Sequence, residues 1–178
     1  SQVHRCNEIL KRLSINSTLE DDFIDKDLSL HNYLKEIVNS FKEISKKNFI
    51  VNLEQDTNSF KIKKSIEIIY GIRNFIGNAN KYAKNNIYIN VKSDSELSEI
   101  IIEDDGPGFS KDILTKIGEP YIKSLRLNDK NKAGLGLGIF IGKTLLEKNF
   151  AKILFRNSET RGGAEIKIEW MNNNLAKI

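Results

Sequence analysis

Apolar positions along this chain change their period several times, and each change predicts an element. Val3, Ile9, Leu10 and Leu13 recur at helical spacing, so Gln2 to Leu13 predicts a short amphipathic helix. The stretch Asn16 to Asp27 is polar and acidic and predicts a linker. Leu34, Ile37, Val38, Phe41 and Ile44 restore the helical period over Leu30 to Lys46. Phe49 to Leu53 alternates as a strand. Ser65 stands where an N-cap is expected, with Glu67 in the first turn of a helix reaching Ala83. On that helix Ile68, Ile69, Ile72, Phe75, Ile76, Ala79 and Ala83 share one face, and Asn74, Asn78, Lys81 and Tyr82 cluster on the opposite one. Ile87 to Val91 and Leu97 to Ile102 predict two strands of a hairpin. Leu137 to Lys148 predicts a helix, and Ile153 to Phe155 and Ala164 to Trp170 predict two last strands joined by SETRGG. The tail MNNNLAKI has no clear pattern. Helices fall between hairpins rather than between every pair of strands, which predicts α+β with helices on one face of a sheet.

Between Phe109 and Ala133 the chain is polar, with one short helical patch near Ile113 to Ile117. Loops of this length inside a compact domain are usually functional lids or disordered. The loop ends in GLGLG, Gly134 to Gly138, which runs into the helix from Leu137. Alternate glycines allow tight turning and close approach to a ligand, and a helix beginning there offers unpaired N–H groups to an anion. The two common nucleotide fingerprints fail. A P-loop would need glycine where Leu137 stands before Gly142-Lys143-Thr144, and GxGxxG would need glycine or alanine at Ile139 or Ile141.

Two further groups bear on the same chemistry. EDDGPGF, Glu103 to Phe109, follows the apolar run Ile100 to Ile102, so a carboxylate sits at the end of a buried strand. Such a carboxylate needs donors, supplied by a turn or by a ligand amino group. The amide face of the Ser65 to Ala83 helix offers oxygen atoms of the kind Mg²⁺ takes, with a lysine one turn away.

Composition narrows the class. The 178 residues are 39% hydrophobic and 29% charged, enough for one domain with a core. The net charge of +4 is spread as isolated lysines, a weak signal for nucleic acid. No apolar run approaches the roughly 18–20 residues that span a bilayer. A single cysteine, Cys6, excludes an internal disulfide and a multi-cysteine metal site. The chain starts without Met inside a helical pattern and reads as a fragment.

The amide helix, the strand-end Asp with GPG, the long loop and GLGLG, in that order, resemble the catalytic, ATP-binding domain of sensor histidine kinases in the GHKL (Bergerat-fold) superfamily. Asn74 to Ala83 looks like the N box, EDDGPGF like the G1 box and AGLGLGIFI like the G2 box; Pro120-Tyr121 stands at an F-box-like segment, and RGGA resembles the last glycine turn. GEPYIKS, GLGLGIFIGKTLLEKNFAKILFRN and GGAEIKIEW look like the RegB/PrrB group of redox-responsive sensor kinases. The resemblance implies a two-layer α+β sandwich with a mixed, mostly antiparallel sheet. It divides the chain into the end of a dimerisation helix (1–14), a linker (15–27), an ATP-binding domain (28–172) and a tail (173–178).

The same resemblance implies roles. Asp104, which with Gly106 and Gly108 satisfies DxGxG, would accept the adenine amino group. Asn78 would ligate Mg²⁺, with Asn74 a weaker candidate; Lys81 would meet phosphates and Tyr82 would pack near the base. Gly134, Leu135, Gly136, Leu137 and Gly138 would carry the phosphate loop, with Tyr121 and Gly163 nearby. Arg126, Lys130 and Lys132 are lid cations able to reach the γ-phosphate. Cys6 matches a cysteine implicated in redox sensing.

Partners implied are ATP, the dimerisation and phosphoacceptor domain of the full-length kinase, and a response regulator. The full-length protein would be a homodimer anchored in the inner membrane, with this domain in the cytoplasm and no nucleic acid bound. Neither histidine fits an H box: His4 is followed by Arg5-Cys6, and His31, expected at the surface of a helix start, by Asn32-Tyr33. The acceptor histidine is therefore expected outside the chain, with no self-phosphorylation. Alternatives are a kinase of the same superfamily with another acceptor, of the anti-sigma serine kinase type, and a non-catalytic nucleotide-binding module.

Overall fold

The computed structural model describes residues 28–54, 61–62, 65–118 and 137–178. The expected helix at Gln2 to Leu13 and the linker after it lie outside the described residues. The elements in chain order are β1 (Leu28–Ser29), α1 (Leu30–Lys42), β2 (Asn48–Leu53), β3 (Lys61–Ile62), α2 (Ile66–Tyr82), β4 (Asn86–Ser93), β5 (Leu97–Asp104), α3 (Lys111–Leu114), α4 (Leu137–Lys148), β6 (Lys152–Asn157), β7 (Ala164–Met171) and α5 (Asn172–Leu175).

The fold is α+β, as the pattern predicts. A five-stranded sheet has the order β2-β4-β5-β7-β6. β2 runs parallel to β4, and the remaining neighbours are antiparallel. α2 packs on β5 and lies between α1 and α4. The pleat sends alternate residues to opposite faces. Ile87, Ile89 and Val91 of β4, Ile100 and Ile102 of β5 and Ile166, Ile168 and Trp170 of β7 are therefore buried against the helices. The Trp170 indole donates to the Asn149 carbonyl at 3.1 Å, satisfying its buried N–H.

α2 forms as its sequence predicts. The Ser65 hydroxyl accepts the Ile68 N–H at 3.4 Å, which caps one orphan donor of the first turn. Glu67 sits where the helix dipole favours an anion, and binds Lys148 at 2.5 Å and Asn149 at 2.7 Å at the far end of α4. The buried face carries Ile68, Ile72, Phe75, Ile76 and Ala79, with Ile69 only partly buried. Gly71 lies on that face because Leu146 of α4 occupies the place of a side chain there. Gly142 of α4 in turn sits against Phe75 and the Gly71 carbonyl, so a glycine from each helix forms a close seam.

The other sheet face is polar and laddered. Lys167 bridges Glu99 at 2.9 Å and Glu169 at 2.8 Å, and Arg156 meets Glu165 at 2.6 Å. Bonds to Glu169 and then Glu99 raise the Lys167 pKa.

Four elements depart from the sequence pattern. α1 stops at Lys42 rather than Lys46: Ile44 keeps the helical period in sequence but is 79% exposed, so it adds nothing to the buried face that stabilises the helix. The two-residue strands β1 and β3 pair over a separation no local pattern reveals. The patternless C-terminal stretch forms α5, whose Leu175 is buried. The Asn172 side chain accepts from Ser98 at 2.6 Å and donates to the Asp94 carbonyl at 2.7 Å.

Candidate functional site

β5 ends at Asp104, only 4% exposed, at the edge of the core. Its Oδ1 accepts the Gly106 N–H at 2.8 Å and the Ala164 N–H at 3.3 Å. A buried carboxylate needs such donors, and two of them on one oxygen fix its orientation. Both flanking glycines are sterically required. A Cβ at Gly163 would lie 2.1 Å from the Asp104 carbonyl oxygen, and one at Gly106 would lie 2.4 Å from the Tyr82 carbonyl oxygen. The motif DGPG and the distant turn RGG thus meet around one carboxylate.

The neighbouring Asp105 points elsewhere. Its Oδ1 accepts from the N–H groups of Lys84 (2.8 Å) and Asn85 (3.0 Å), and its Oδ2 from the Asn86 N–H and side-chain amide (both 3.0 Å). Burial pushes the Asp105 carboxyl up, but bonds from Asn85, Asn86 and Lys84 outweigh it and leave its pKa below the usual value.

Gly108 has φ of +70°, a conformation that favours glycine, and a Cβ there would meet the Asn157 side chain at 2.6 Å. Asn157 ends β6 and pairs with both backbone groups of Phe109, accepting its N–H at 2.6 Å and donating to its carbonyl at 2.9 Å. The Phe109 ring packs edge-on against Phe155, which packs edge-on against Phe75 of α2.

Along α2, Asn74, Asn78, Lys81 and Tyr82 are half-buried, in contrast to the fully covered opposite face. Tyr82 lies at the Asp104 end, where its carbonyl touches Gly106. Asn74 lies at the other end, where a Cβ at Gly138 would be 3.5 Å from its Oδ1. The Asn74 amide donates to the Tyr70 carbonyl at 2.8 Å. Asn78 falls one turn from each, so α2 runs about 12 Å from the base of the G2 helix to the Asp104 cradle. Lys81 reaches over the Tyr82 ring, 5.1 Å from its centroid. Leu137 and Gly138 form the first turn of α4. Among the described residues no three acidic, histidine or cysteine side chains group to hold a metal. The Asn78 amide offers an oxygen donor of the kind Mg²⁺ takes.

The structure therefore brings together Asp104, Gly106, Gly108, Gly163 and Tyr82 at one end of α2, and Asn74 and Gly138 at the other. Cys6, Tyr121, Arg126, Lys130, Lys132, Gly134, Leu135 and Gly136 lie outside the described residues. Sequence reasoning missed Asn157 and the work of Asp105. The signal available was weak: a polar residue closing the strand before SETRGG, and a second Asp beside the Asn-rich run Asn85-Asn86. His31 corrects the expectation of a surface position. It is half-buried at the second residue of α1, its Nε2 buried without a hydrogen-bond partner among the described residues, because Leu30 and Leu34 draw that end of the helix into the core. Burial, and then Lys35, lower its pKa.

A family profile described as "Histidine kinase-, DNA gyrase B-, and HSP90-like ATPase" matches residues 63–173. Sensor histidine kinase RegB of Cereibacter sphaeroides is 28% identical over 195 residues, an alignment covering 99% of this chain and 42% of RegB. Sensor protein QseC of Escherichia coli K12 is 29% identical over 99 residues, 56% of this chain and 21% of QseC. The chain thus spans less than half the length of these relatives. Among solved structures, the nucleotide-free catalytic domain of histidine kinase ThkA aligns with a TM-score of 0.67 at 19% identity, covering 81% of this chain and 95% of that one. Full-length ShkA in complex with AMPPNP aligns at 0.66 and 17% identity, over 82% of this chain and 30% of that one. These two likenesses establish the fold.

Proposed function

The chain belongs to the histidine kinase-, DNA gyrase B- and HSP90-like ATPase family, and from that membership we propose that it is the catalytic domain of a two-component sensor kinase. In this reading it binds Mg-ATP and transfers the γ-phosphoryl group to a histidine of the dimerisation domain that lies outside this chain. The observation that carries the reading is the cradle around Asp104, a buried carboxylate oriented by two backbone N–H groups between glycines that admit no side chain.

A carboxylate oxygen there accepts the adenine amino group, and the absent side chains of Gly106 and Gly163 let the Tyr82 and Asp104 backbones close up around that carboxylate. Tyr82 packs beside the base. One helical turn on, Asn78 offers its amide oxygen to Mg²⁺, with Asn74 next to it in line. Mg²⁺, when bound, neutralises charge on the phosphates. Lys81 faces the same phosphates. The N–H groups of Gly134, Gly136 and Gly138, and those of Leu135 and Leu137 between them, meet phosphate oxygens at the start of α4. Tyr121, Arg126 and Lys132 belong to the lid, and one of its cations meets the γ-phosphate.

Transfer breaks the bond between the γ-phosphorus and the ADP oxygen as a bond forms from phosphorus to an imidazole nitrogen. Catalysis of this kind is chiefly positioning and charge neutralisation. Hydrolysis needs a base to activate water, and the position four residues before Asn78 holds Asn74, an amide that cannot take a proton and already donates to Tyr70. The domain works in the cytoplasm beside a membrane-anchored sensor, passes its phosphoryl group through the dimerisation domain to a response regulator, and functions as part of a homodimer. Among the described residues no helix is long and apolar enough to cross a membrane.

Calorimetry with Mg-AMPPNP tests this reading. Wild type binds, and Asp104→Asn loses about tenfold to a hundredfold in affinity, the size of a hydrogen bond to a charged group, while its unfolding transition stays cooperative. Undiminished binding by Asp104→Asn removes this residue from the adenine role. Absence of binding by wild type favours a degenerate module instead.

A further inference from the structure

The α2–β4 junction, Ala83 to Asn86, separates the two halves of the nucleotide site. On one side of it lies the C-terminal part of α2, which carries Asn78 and Lys81 and ends at Tyr82 beside the Asp104 cradle. On the other lies β4, whose Ile87 stands opposite Asp104 in the sheet. The length and path of these four residues set how α2 is advanced and rotated relative to the Asp104 carboxylate. One residue of slippage would move a helix by about 1.5 Å and turn it by about 100°.

The junction is pinned from two directions by opposite charges. The Asp105 carboxylate takes the N–H groups of Lys84, Asn85 and Asn86, and its own N–H returns to the Asn86 carbonyl at 3.3 Å. The Lys47 ammonium, arriving from the α1–β2 loop, donates to the Ala83 carbonyl at 2.8 Å and to the Lys84 carbonyl. The Asn85 carbonyl accepts the Asn48 N–H at 2.9 Å. The backbone polar groups of Lys84, Asn85 and Asn86 are thus taken up from outside the junction, with the anion on the N–H side and the cation on the carbonyl side. The two known contacts on Asp104 Oδ1 come instead from Gly106 and Ala164. They do not involve the Asp105 carboxylate.

We propose that Asp105 and Lys47 are a positioning pair for the nucleotide site, which fix α2 and its Mg²⁺-side face relative to the adenine-side carboxylate. The inference rests on the ATP-site reading above. It assigns neither residue a contact with nucleotide. Removing the pair loosens the spacing between the two halves but leaves both donors to Asp104 Oδ1, the Gly106 and Ala164 N–H groups, in place. Ligands that use one half tolerate the loss, and ligands that span both do not.

The test compares adenosine, which reaches the Asp104 end alone, with Mg-AMPPNP, which spans the site. In Asp105→Ala, affinity for Mg-AMPPNP falls about tenfold while affinity for adenosine, read by competition, changes by about twofold at most. Lys47→Ala shows the same split, Lys47→Arg restores it, and the double variant loses no more than the worse single one, because both act on one junction. Equal losses for the two ligands, or no loss for either, overturn the proposal. If Asp105→Ala lacks a cooperative unfolding transition, Lys47→Ala with its arginine rescue decides by the same split. Wild type that binds neither ligand refutes the ATP-site reading rather than the clamp.

Discussion

The two ends of the α2 polar face are built differently. At the Asp104 end, a carboxylate, two turns and a strand terminus are locked by short hydrogen bonds and by glycines with no room for a Cβ. At the Asn74 end, a Cβ at Gly138 would reach the Asn74 Oδ1 only at 3.5 Å, and α4 is held by the Gly71–Gly142 seam lower down and by the Glu67 brace at its far end. The turn is held by hydrogen bonds, whereas the helix seam is held by close packing, where a Cβ at Gly71 would meet Leu146 at 2.5 Å and one at Gly142 would meet Phe75 at 2.7 Å. In the reading proposed above, the adenine side is therefore fixed by backbone hydrogen bonds and the phosphate side by side-chain packing between two helices.

Substitutions separate the two ends. The largest effect is expected for Gly163→Ala, whose Cβ would enter the Asp104 backbone. Urea denaturation should show a loss of about 3 kcal/mol or more, with nucleotide binding abolished; a stability unchanged from wild type would break the picture of a rigid cradle. Next comes Gly142→Ala, which forces the buried Phe75 ring or α4 to move. About 2 kcal/mol is expected, together with a larger loss of affinity for Mg-AMPPNP than for adenosine. The reverse order of losses would show that this seam acts on the Asp104 end instead.

Asn157→Ala leaves both Phe109 backbone groups without their partner and should cost about 1 kcal/mol, measured by the same denaturation. The smallest effect is a pH dependence. Bonds from Lys148 and then Asn149 hold the Glu67 pKa below its usual value of 4.5. A depressed carboxylate contributes stability that is present above its unfolded pKa and lost as pH falls through the folded one. The difference in melting temperature between wild type and Glu67→Gln should therefore be visible at pH 6 and shrink below pH 4.5. A constant difference across that range would show that α4 is not braced through this charge.

Local chemistry was legible and long-range pairing was not. The Ser65 cap, the apolar face of α2 and the strand alternation depend on neighbours within a turn or a pleat, so the sequence pattern carries them. The Asp104 cradle was legible in its parts, since DGPG and RGG each announce a turn, but nothing in either says that they meet. Asn157 reaches Phe109 across 48 positions, and Lys47 reaches Ala83 across 36, and no periodicity encodes either bond. The short pair β1 and β3 fails for the same reason. Choosing Asp104 over Asp105 needed the family spacing, because both are acidic residues before a glycine and only the fold turns them to opposite sides.

The position of β7 inside the sheet has a kinetic consequence. β4 and β5 form a local hairpin, but β5 reaches its other neighbour only after the whole stretch from Gly106 to Gly163 has been made. Closing so long a loop is slow, and until then β5 is an open edge. Ala164, which supplies the second donor to Asp104, is the first residue of the strand that arrives last. A chain still emerging from the ribosome has all of its acidic motif and none of its finished pocket, so nucleotide capture should mark the end of folding, and a ligand present during refolding should act on the last step rather than the first.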